Sequence, residues 1–390
     1  MAHDLSADAS SVPVAERIER LRARFPRVAV SHEWLTIPGG SEKVVLQFLE
    51  IFPEAEIFTA VYDPAPWPRE MTDRPVHSSF LNRIPRAGKI YPRLLPLMNA
   101  AFESFDLSGF DLVISSNHSC AKNVLTEPST LHVCFCHTPM RYAWEPRFLT
   151  DEAVGPVERL LVPPLLSRLR RQDFIASARV DHYLANSTHV AARIRKYYRR
   201  DATVVFAPAE IGRSLDVPRV DGDHYLFLGR LVPYKRADLA VAACTRLGRP
   251  LKVVGGGRAA KSVQNAAGPT VEFLGELPDA ELAQVMSGAR ALLYPGEEDL
   301  GLVPAEAQAA GMPVIAYGVG GARDTVIDGE TGLLFAEQTV EGLCDAMLAS
   351  EARTFDELAI RENARRFTPE RFRERIVDVL DGLEPVQPRA

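Results

Sequence analysis

The stretch GEEDLGLVPAEAQAAG (296–311) places two glutamates, Glu298 and Glu306, eight residues apart with a glycine and a proline between them. ALLYP before it reads as a strand, and GEEDLG as the loop at that strand's carboxyl end. VPAEAQAAG reads as a helix opened by Pro304 and closed by Gly311. Both carboxylates are therefore expected near one strand end and one helix N-terminus, Glu306 on the first turn. A carboxylate can accept two hydrogen bonds from a vicinal diol, as the acidic residue of a dinucleotide fold does with ribose. A solvated acidic loop, with Glu306 complementing the helix dipole, explains the same spacing. The choice depends on partners elsewhere in the chain.

One partner is FLGRLVPYKRADLAV (227–241), where Arg230 ends a strand while Lys235 and Arg236 crowd the start of the next helix. Cations at a helix N-terminus oppose the macrodipole, so the placement makes sense if an anion is shared by the side chains and the free N–H groups. A diphosphate suits that role, against the alternative of a solvated basic turn. A second partner is YGVGGARDTV (317–326), whose Gly318, Gly320 and Gly321 permit close backbone approach ahead of a short helix. Glycine turns are common, and this one is weak evidence by itself.

These residues need a scaffold that brings strand ends together. In the first half RVAVSH, EIFTAV, DLVISS, LHVCFC and HYLANS read as strands; in the second, YLFLGR, LKVVGG, VEFLG, ALLYP, PVIAYG and GLLF do. Amphipathic stretches such as SEKVVLQFLEIF and ADLAVAACTRL fall between them. Short continuous apolar runs alternating with helices imply parallel, doubly covered sheets in an α/β fold. The alternation breaks at 207–223, rich in proline, glycine and charge, which reads as a linker. The expected plan is a mobile tail over 1–24, a first Rossmann-like domain over 25–206, the linker, and a second such domain over 224–366. Ligands of such sheets bind beyond the carboxyl ends of the strands, and a cleft between two domains is a common site.

The composition narrows the function. A net charge of -6 over 390 residues argues against general affinity for nucleic acid. Five scattered cysteines without a paired C-x-x-C fit a reducing compartment and neither a disulfide framework nor a zinc site. The N-terminus lacks the basic and apolar regions of a signal peptide, and no apolar run approaches the ~18 residues of a membrane span. The reading is a cytoplasmic protein with at most peripheral membrane contact. The candidates for such contact are 82–98, with Arg83, Arg86, Lys89 and Arg93 among apolar residues, and 159–171. A basic rim around an ordinary core contact explains both segments as well.

Several signals are weaker. GGGRAA (255–260) fits G-x-G-x-x-A, but that fingerprint usually opens the first βα unit of its domain, and here it follows the second strand. Asp221-Gly222-Asp223 has the form of a metal-binding D-x-D yet sits in the linker, so no metal is expected. A glycosidase pair of Glu298 and Glu306 leaves the basic site unexplained. His32 and His118 are candidates for the cleft because each closely follows a strand, and Lys122, near the same wall, is a further one; lone histidines are more often structural.

Arg230 with Lys235, followed by E-x-x-G-x-x-x-x-E at Glu298, Gly301 and Glu306, resembles family 4 of the retaining GT-B glycosyltransferases. GRLVPYKR, VVGGG, FLGEL, the 296–321 stretch and DGETGLLF appear in the family's order. HEWLTIPGGSEKV (32–44), SSNHSCAKNV (115–124) and CHTPMRYAWE (136–145) are similar to bacterial mannosyl- and rhamnosyltransferases of surface-polysaccharide assembly, which use GDP-sugars. The resemblance implies that Arg230 and Lys235 hold the donor diphosphate, Glu306 the ribose hydroxyls and Glu298 the donor sugar. It also implies nucleotide contacts from Gly301, Leu302 and Gly275, an approach to the diphosphate by Gly39 and Gly40, and an acceptor-side role for His137. Leu300 departs from the phenylalanine frequent in the family. A C-terminal helix over 367–385 is expected to pack back onto the first domain.

The expectation is thus a metal-independent, cofactor-free hexosyltransferase. It would carry a sugar, mannose from GDP-mannose, to a glycan or polyprenyl-diphosphate-linked acceptor, through front-face transfer with no protein nucleophile. UDP-sugar donors are the nearest variant. An NAD-dependent sugar-nucleotide enzyme and a non-catalytic sugar-nucleotide sensor are the alternatives from other classes.

Overall fold

The computed structural model describes residues 12–145, 156–215, 217–220 and 222–384. Residues 1–11 of the expected tail, Asp221 and the last residue of the 367–385 helix lie outside that set, as do the side chains of 156–161.

Among the described residues, thirteen strands form two sheets with parallel pairing. The first contains β1 (Val28–Leu35), β2 (Glu56–Tyr62), β3 (Val76–Ser78), β4 (Leu112–Asn117), β5 (Leu131–Cys136), β6 (His182–Ala185) and β7 (Thr203–Val204), in the order β3-β2-β1-β4-β5-β6-β7. The second contains β8 (His224–Leu228), β9 (Leu251–Val254), β10 (Val271–Gly275), β11 (Ala289–Tyr294), β12 (Val314–Tyr317) and β13 (Gly332–Phe335), in the order β10-β9-β8-β11-β12-β13. Each sheet is doubly wound. The chain reverses its direction of travel between β1 and β4 in the first sheet and between β8 and β11 in the second.

The apolar runs explain why these segments pair. Every side chain of β4 and β5 is buried, as covering on both faces requires. In the second sheet successive residues feed opposite layers: Phe227, Val253 and Leu293 enter one core cluster, while Leu226, Val254 and Leu292 enter the other.

By packing, the chain divides into two compact units. Met1–Phe135, Arg168–Tyr183 and Phe372–Ala390 make one, and Cys136–Ser167 with Leu184–Arg371 make the other. Within the first unit, Phe372 of the helix Pro369–Gly382 lies 5.7 Å from Phe48 and 5.5 Å from Phe135, ring centre to ring centre.

The tail expectation needs correction from Val14 onward. Val14–Arg24 is a helix that buries Leu21, and Arg17 donates to Asp381 at 2.7 Å and to Asp378 at 2.8 Å. Its anchor is more than 360 residues away in sequence, out of reach of any local pattern. The 207–223 stretch is also more than a spacer. Ile211 and Ser214 are buried, and Arg361 donates to the carbonyls of Ser214 (3.2 Å) and Val217 (2.8 Å). Gly222 of the D-x-D-like triplet is a packing requirement, since a Cβ there would fall 1.8 Å from the Gly288 carbonyl oxygen.

Candidate functional site

The reversal between β8 and β11 gathers the residues that opened the sequence argument. Ligands of open α/β sheets bind outside the strand carboxyl ends at such a point. β8 leads into Gly229, Arg230 and the short 3-10 turn Pro233–Lys235; β11 leads into 295–301. Lys235 Nζ meets Glu298 Oε1 at 2.6 Å, with side-chain exposures of 11% and 19%, so the two half-sites touch across the switch point. Arg230 is exposed beside them, its Nη2 at 3.5 Å from the Tyr234 hydroxyl. Arg236 takes a left-handed conformation (φ 55°) and turns back to Asp238, which separates it from the pair formed by Lys235.

Glycines pave this ledge. A Cβ on Gly255 would fall 2.2 Å from the Gly229 carbonyl oxygen, and one on Gly257 would fall 2.5 Å from that of Leu231. The loops after β8, β9 and β10 are then laced together: Leu231 N–H donates to Gly256 (2.7 Å) and Gly255 N–H to Gly275 (2.6 Å). Gly255 and Gly257 of GGGRAA are thereby explained by backbone packing without a dinucleotide. On the other side, Gly320 and Gly321 let the loop after β12 lie against Glu298–Leu300, with Gly321 N–H donating to the Glu298 carbonyl at 2.8 Å.

Gly301 (φ 83°) sits just before the helix Leu302–Ala309, over the buried Tyr294, whose hydroxyl would be 2.9 Å from a Cβ at that position. Burial and then the Glu298 carboxylate push the Tyr294 hydroxyl well above its usual range, so it stays protonated. Leu302 is the first residue of the helix. Glu306 is buried and lies in its second turn; the expectation of the first turn is corrected because the helix begins two residues before Pro304. Sequence reasoning missed Tyr294, Tyr234 and Arg141. Arg141 lies with its guanidinium carbon 5.9 Å from the Tyr234 ring centre, and its charge is coupled to Asp299 first and then to Glu298.

The switch point of the first sheet is built differently. Gly39 and Gly40 open the helix Gly40–Ile51 after β1, and Gly39 is extended (φ -154°), so its glycine character relieves the contact with Glu42. Beneath them Glu33 is fully buried. Its Oε1 accepts N–H donors from His118 (2.8 Å), Ser119 (2.7 Å), Cys120 (3.1 Å) and Ala121 (3.3 Å), and its Oε2 stands 3.0 Å from His118 Nδ1. Burial alone would raise the Glu33 carboxyl, but His118 and the backbone donors hold it far below the usual range. Burial likewise opposes the charge on His118, and Glu33 outweighs it, raising the imidazole. His32 bridges Ser116 Oγ and Glu42 Oε1, each at 3.2 Å. Lys122, a sequence candidate for ligand contact, is fully buried and paired with Asp173, which removes it from that role. His137 is half-buried one residue beyond β5. All five cysteines are buried thiols, and no group of three or more metal-ligating side chains occurs among the described residues.

Residues 222–350 match the family described as Glycosyl transferases group 1. D-inositol 3-phosphate glycosyltransferase of Frankia alni is 38% identical over 149 residues, which cover 33% of this chain and 36% of that protein. An uncharacterized glycosyltransferase of Methanocaldococcus jannaschii is 28% identical over 202 residues, covering 50% and 56% of the two chains. The matches thus span from about a third to just over half of those relatives. Among solved structures, Anabaena HepE in complex with UDP superposes with a TM-score of 0.66 at 16% identity over 92% of this chain and 100% of that one. The sucrose-phosphate synthase of Thermosynechococcus elongatus gives 0.67 at 20% identity over 91% and 98%. At these identities the likeness is one of fold: two Rossmann-like domains of the GT-B class, as the residue patterns imply.

Proposed function

We propose that the chain is a retaining glycosyltransferase that moves a hexose from a nucleotide sugar to a glycan or lipid-linked saccharide acceptor. The observation that carries this reading is the Lys235–Glu298 pair at the β8/β11 switch point, on a ledge where glycines let the neighbouring loops pack backbone to backbone. A donor diphosphate would draw Lys235 toward itself and engage Arg230, freeing the Glu298 carboxylate for the sugar hydroxyls while Glu306 takes the ribose. Charge building on the leaving diphosphate would be stabilised by these cations, and the diphosphate would receive the proton of the incoming hydroxyl. Such charge compensation needs no metal, and turnover is expected to survive chelation. Gly301, Leu302, Gly275, Gly39 and Gly40 are proposed as backbone contacts to the donor, and His137 as an acceptor-side group.

The donor follows the similarity of 115–124 and 136–145 to GDP-sugar enzymes, so GDP-mannose is proposed first. The UDP named with the Anabaena structure makes a uridine nucleotide the nearest variant. No helix among the described residues is long and apolar enough to cross a membrane. The cationic 82–98 stretch, flanked by exposed Phe80 and carrying exposed Leu97, is proposed to rest on anionic lipid at the cytoplasmic face.

The test incubates the protein with GDP-mannose or UDP-glucose and lipid-linked acceptors, with and without chelator, and assigns the product anomer by NMR. An α-linked product formed in chelator supports the reading. Nucleotide-sugar binding without product would make the protein a sensor.

A further inference from the structure

The residue after Glu298 is held as firmly as Glu298 itself. Arg141 Nη2 reaches Asp299 Oδ2 at 2.5 Å and Arg193 Nη1 reaches Asp299 Oδ1 at 2.5 Å, one arginine for each carboxylate oxygen. Arg193 also pairs with Glu145 through Nη2. The side chains of Asp299, Arg141, Arg193 and Glu145 are 14%, 20%, 8% and 11% exposed, so solvent screens these charges little. Two positive and two negative charges balance within the chain Arg141–Asp299–Arg193–Glu145, which suits it to hold a position more than to attract a further anion.

Its two ends are packed against other elements. Arg141 begins the short helix Arg141–Trp144, and Trp144 stacks on Tyr197 of the helix Thr188–Tyr198 (4.9 Å, 15°), which also carries Arg193. On the far side, the Glu298 backbone is bridged to Gly320 and its carboxylate meets Lys235. The Asp299 side chain therefore ties the loop that carries Glu298 to the helices Arg141–Trp144 and Thr188–Tyr198. A displacement of about 1 Å at a positioning group can cost two orders of magnitude in rate.

We propose that Arg141 and Arg193, acting through Asp299, are positioning residues that hold Glu298 for the donor sugar; this rests on the glycosyltransferase reading above. Because Glu298 faces the sugar and not the nucleoside, loosening the clamp should weaken binding of the nucleotide sugar and spare that of the nucleoside diphosphate. A purely structural role would weaken both together.

The experiment is calorimetric titration of GDP, GDP-mannose, UDP and UDP-glucose into wild type, Asp299→Asn and Arg193→Lys. For whichever pair wild type binds, Asp299→Asn should weaken the nucleotide sugar about tenfold against the diphosphate, the loss expected of one charge-assisted contact. Arg193→Lys keeps the charge but loses the fork geometry, and should shift the ratio the same way by less. Should Asp299→Asn fail to fold, Arg193→Lys carries the measurement. An unchanged ratio, or equal loss for both ligands, overturns the clamp while leaving the transferase reading intact. No binding of any of the four to wild type overturns the donor reading, and the clamp with it.

Discussion

At the first sheet's switch point the charged groups satisfy one another, with the His118 side chain partly exposed. Glu33 is saturated by four backbone N–H groups and by His118, and His32 sits between Ser116 and Glu42. At the second sheet's switch point Arg230 stays exposed, and the Lys235–Glu298 pair is joined by one short contact beside loops packed closely through glycine. The topology is the same, but one end is finished as a folded core and the other is left as a surface that a ligand can complete. The difference teaches that a switch point only offers a place. What differs is the charge left available: Arg230 is exposed at the second, whereas Glu33 and His32 are already bonded at the first.

Substitutions can break this contrast, and the largest effect belongs to the second switch point. Lys235→Ala should lower kcat/KM by about 10³-fold, the scale for removing one preorganised charge contact to a transition state, with an unchanged melting curve. Near-normal turnover would remove Lys235 from the chemistry. At the first switch point the response should be inverted. Glu33→Gln removes a buried, paired charge and should cost about 3 kcal/mol in chemical denaturation at pH 7. Because the folded carboxyl lies below its unfolded value of 4.5, that contribution is present above pH 4.5 and fades as the pH falls further. A variant as stable as wild type at pH 7 would contradict the core assignment.

His132, within hydrogen-bond distance (2.9 Å) of Ser115 Oγ, sharpens the same point through pH. Burial lowers its imidazole to about 4 from 6.5, so the unfolded chain takes up a proton that the folded chain refuses. Stability should be full above pH 6.5 and fall toward pH 4, by up to about 3 kcal/mol from this group. His132→Asn should flatten that acid limb; an unaltered slope would place the loss elsewhere. Smaller still, Gly255→Ala forces a left-handed φ of 116° onto alanine against the Gly229 carbonyl. It should cost about 2 kcal/mol and weaken nucleotide binding, and a melting temperature equal to wild type would argue against close loop packing.

Much of the second unit was legible because its signals are local. The strand ends, the Glu298 and Glu306 spacing and the basic turn at 230–236 all lie in short runs with a period or punctuation of their own. What escaped was long-range. Arg141 and Arg193 meet Asp299 across more than a hundred residues, and the Val14–Arg24 helix depends on aspartates near the other end of the chain. β3 was missed because Val76–Ser78 is three residues long and largely exposed, without an apolar run to announce it. Lys122 misled for the opposite reason, since a lysine near a strand end looks available until its buried partner, Asp173, is seen.

The β8/β11 switch point is proposed to take a nucleoside diphosphate through Lys235 and Arg230 and its ribose through Glu306. Calorimetric titration of GDP, UDP, ADP and NAD into the wild-type protein and into Glu306→Ala tests it most directly. Selective binding of GDP or UDP, lost in the variant, is the expected result. Binding of NAD alone, untouched by the substitution, would contradict it and return the glycines of 255–257 to the role of a cofactor loop.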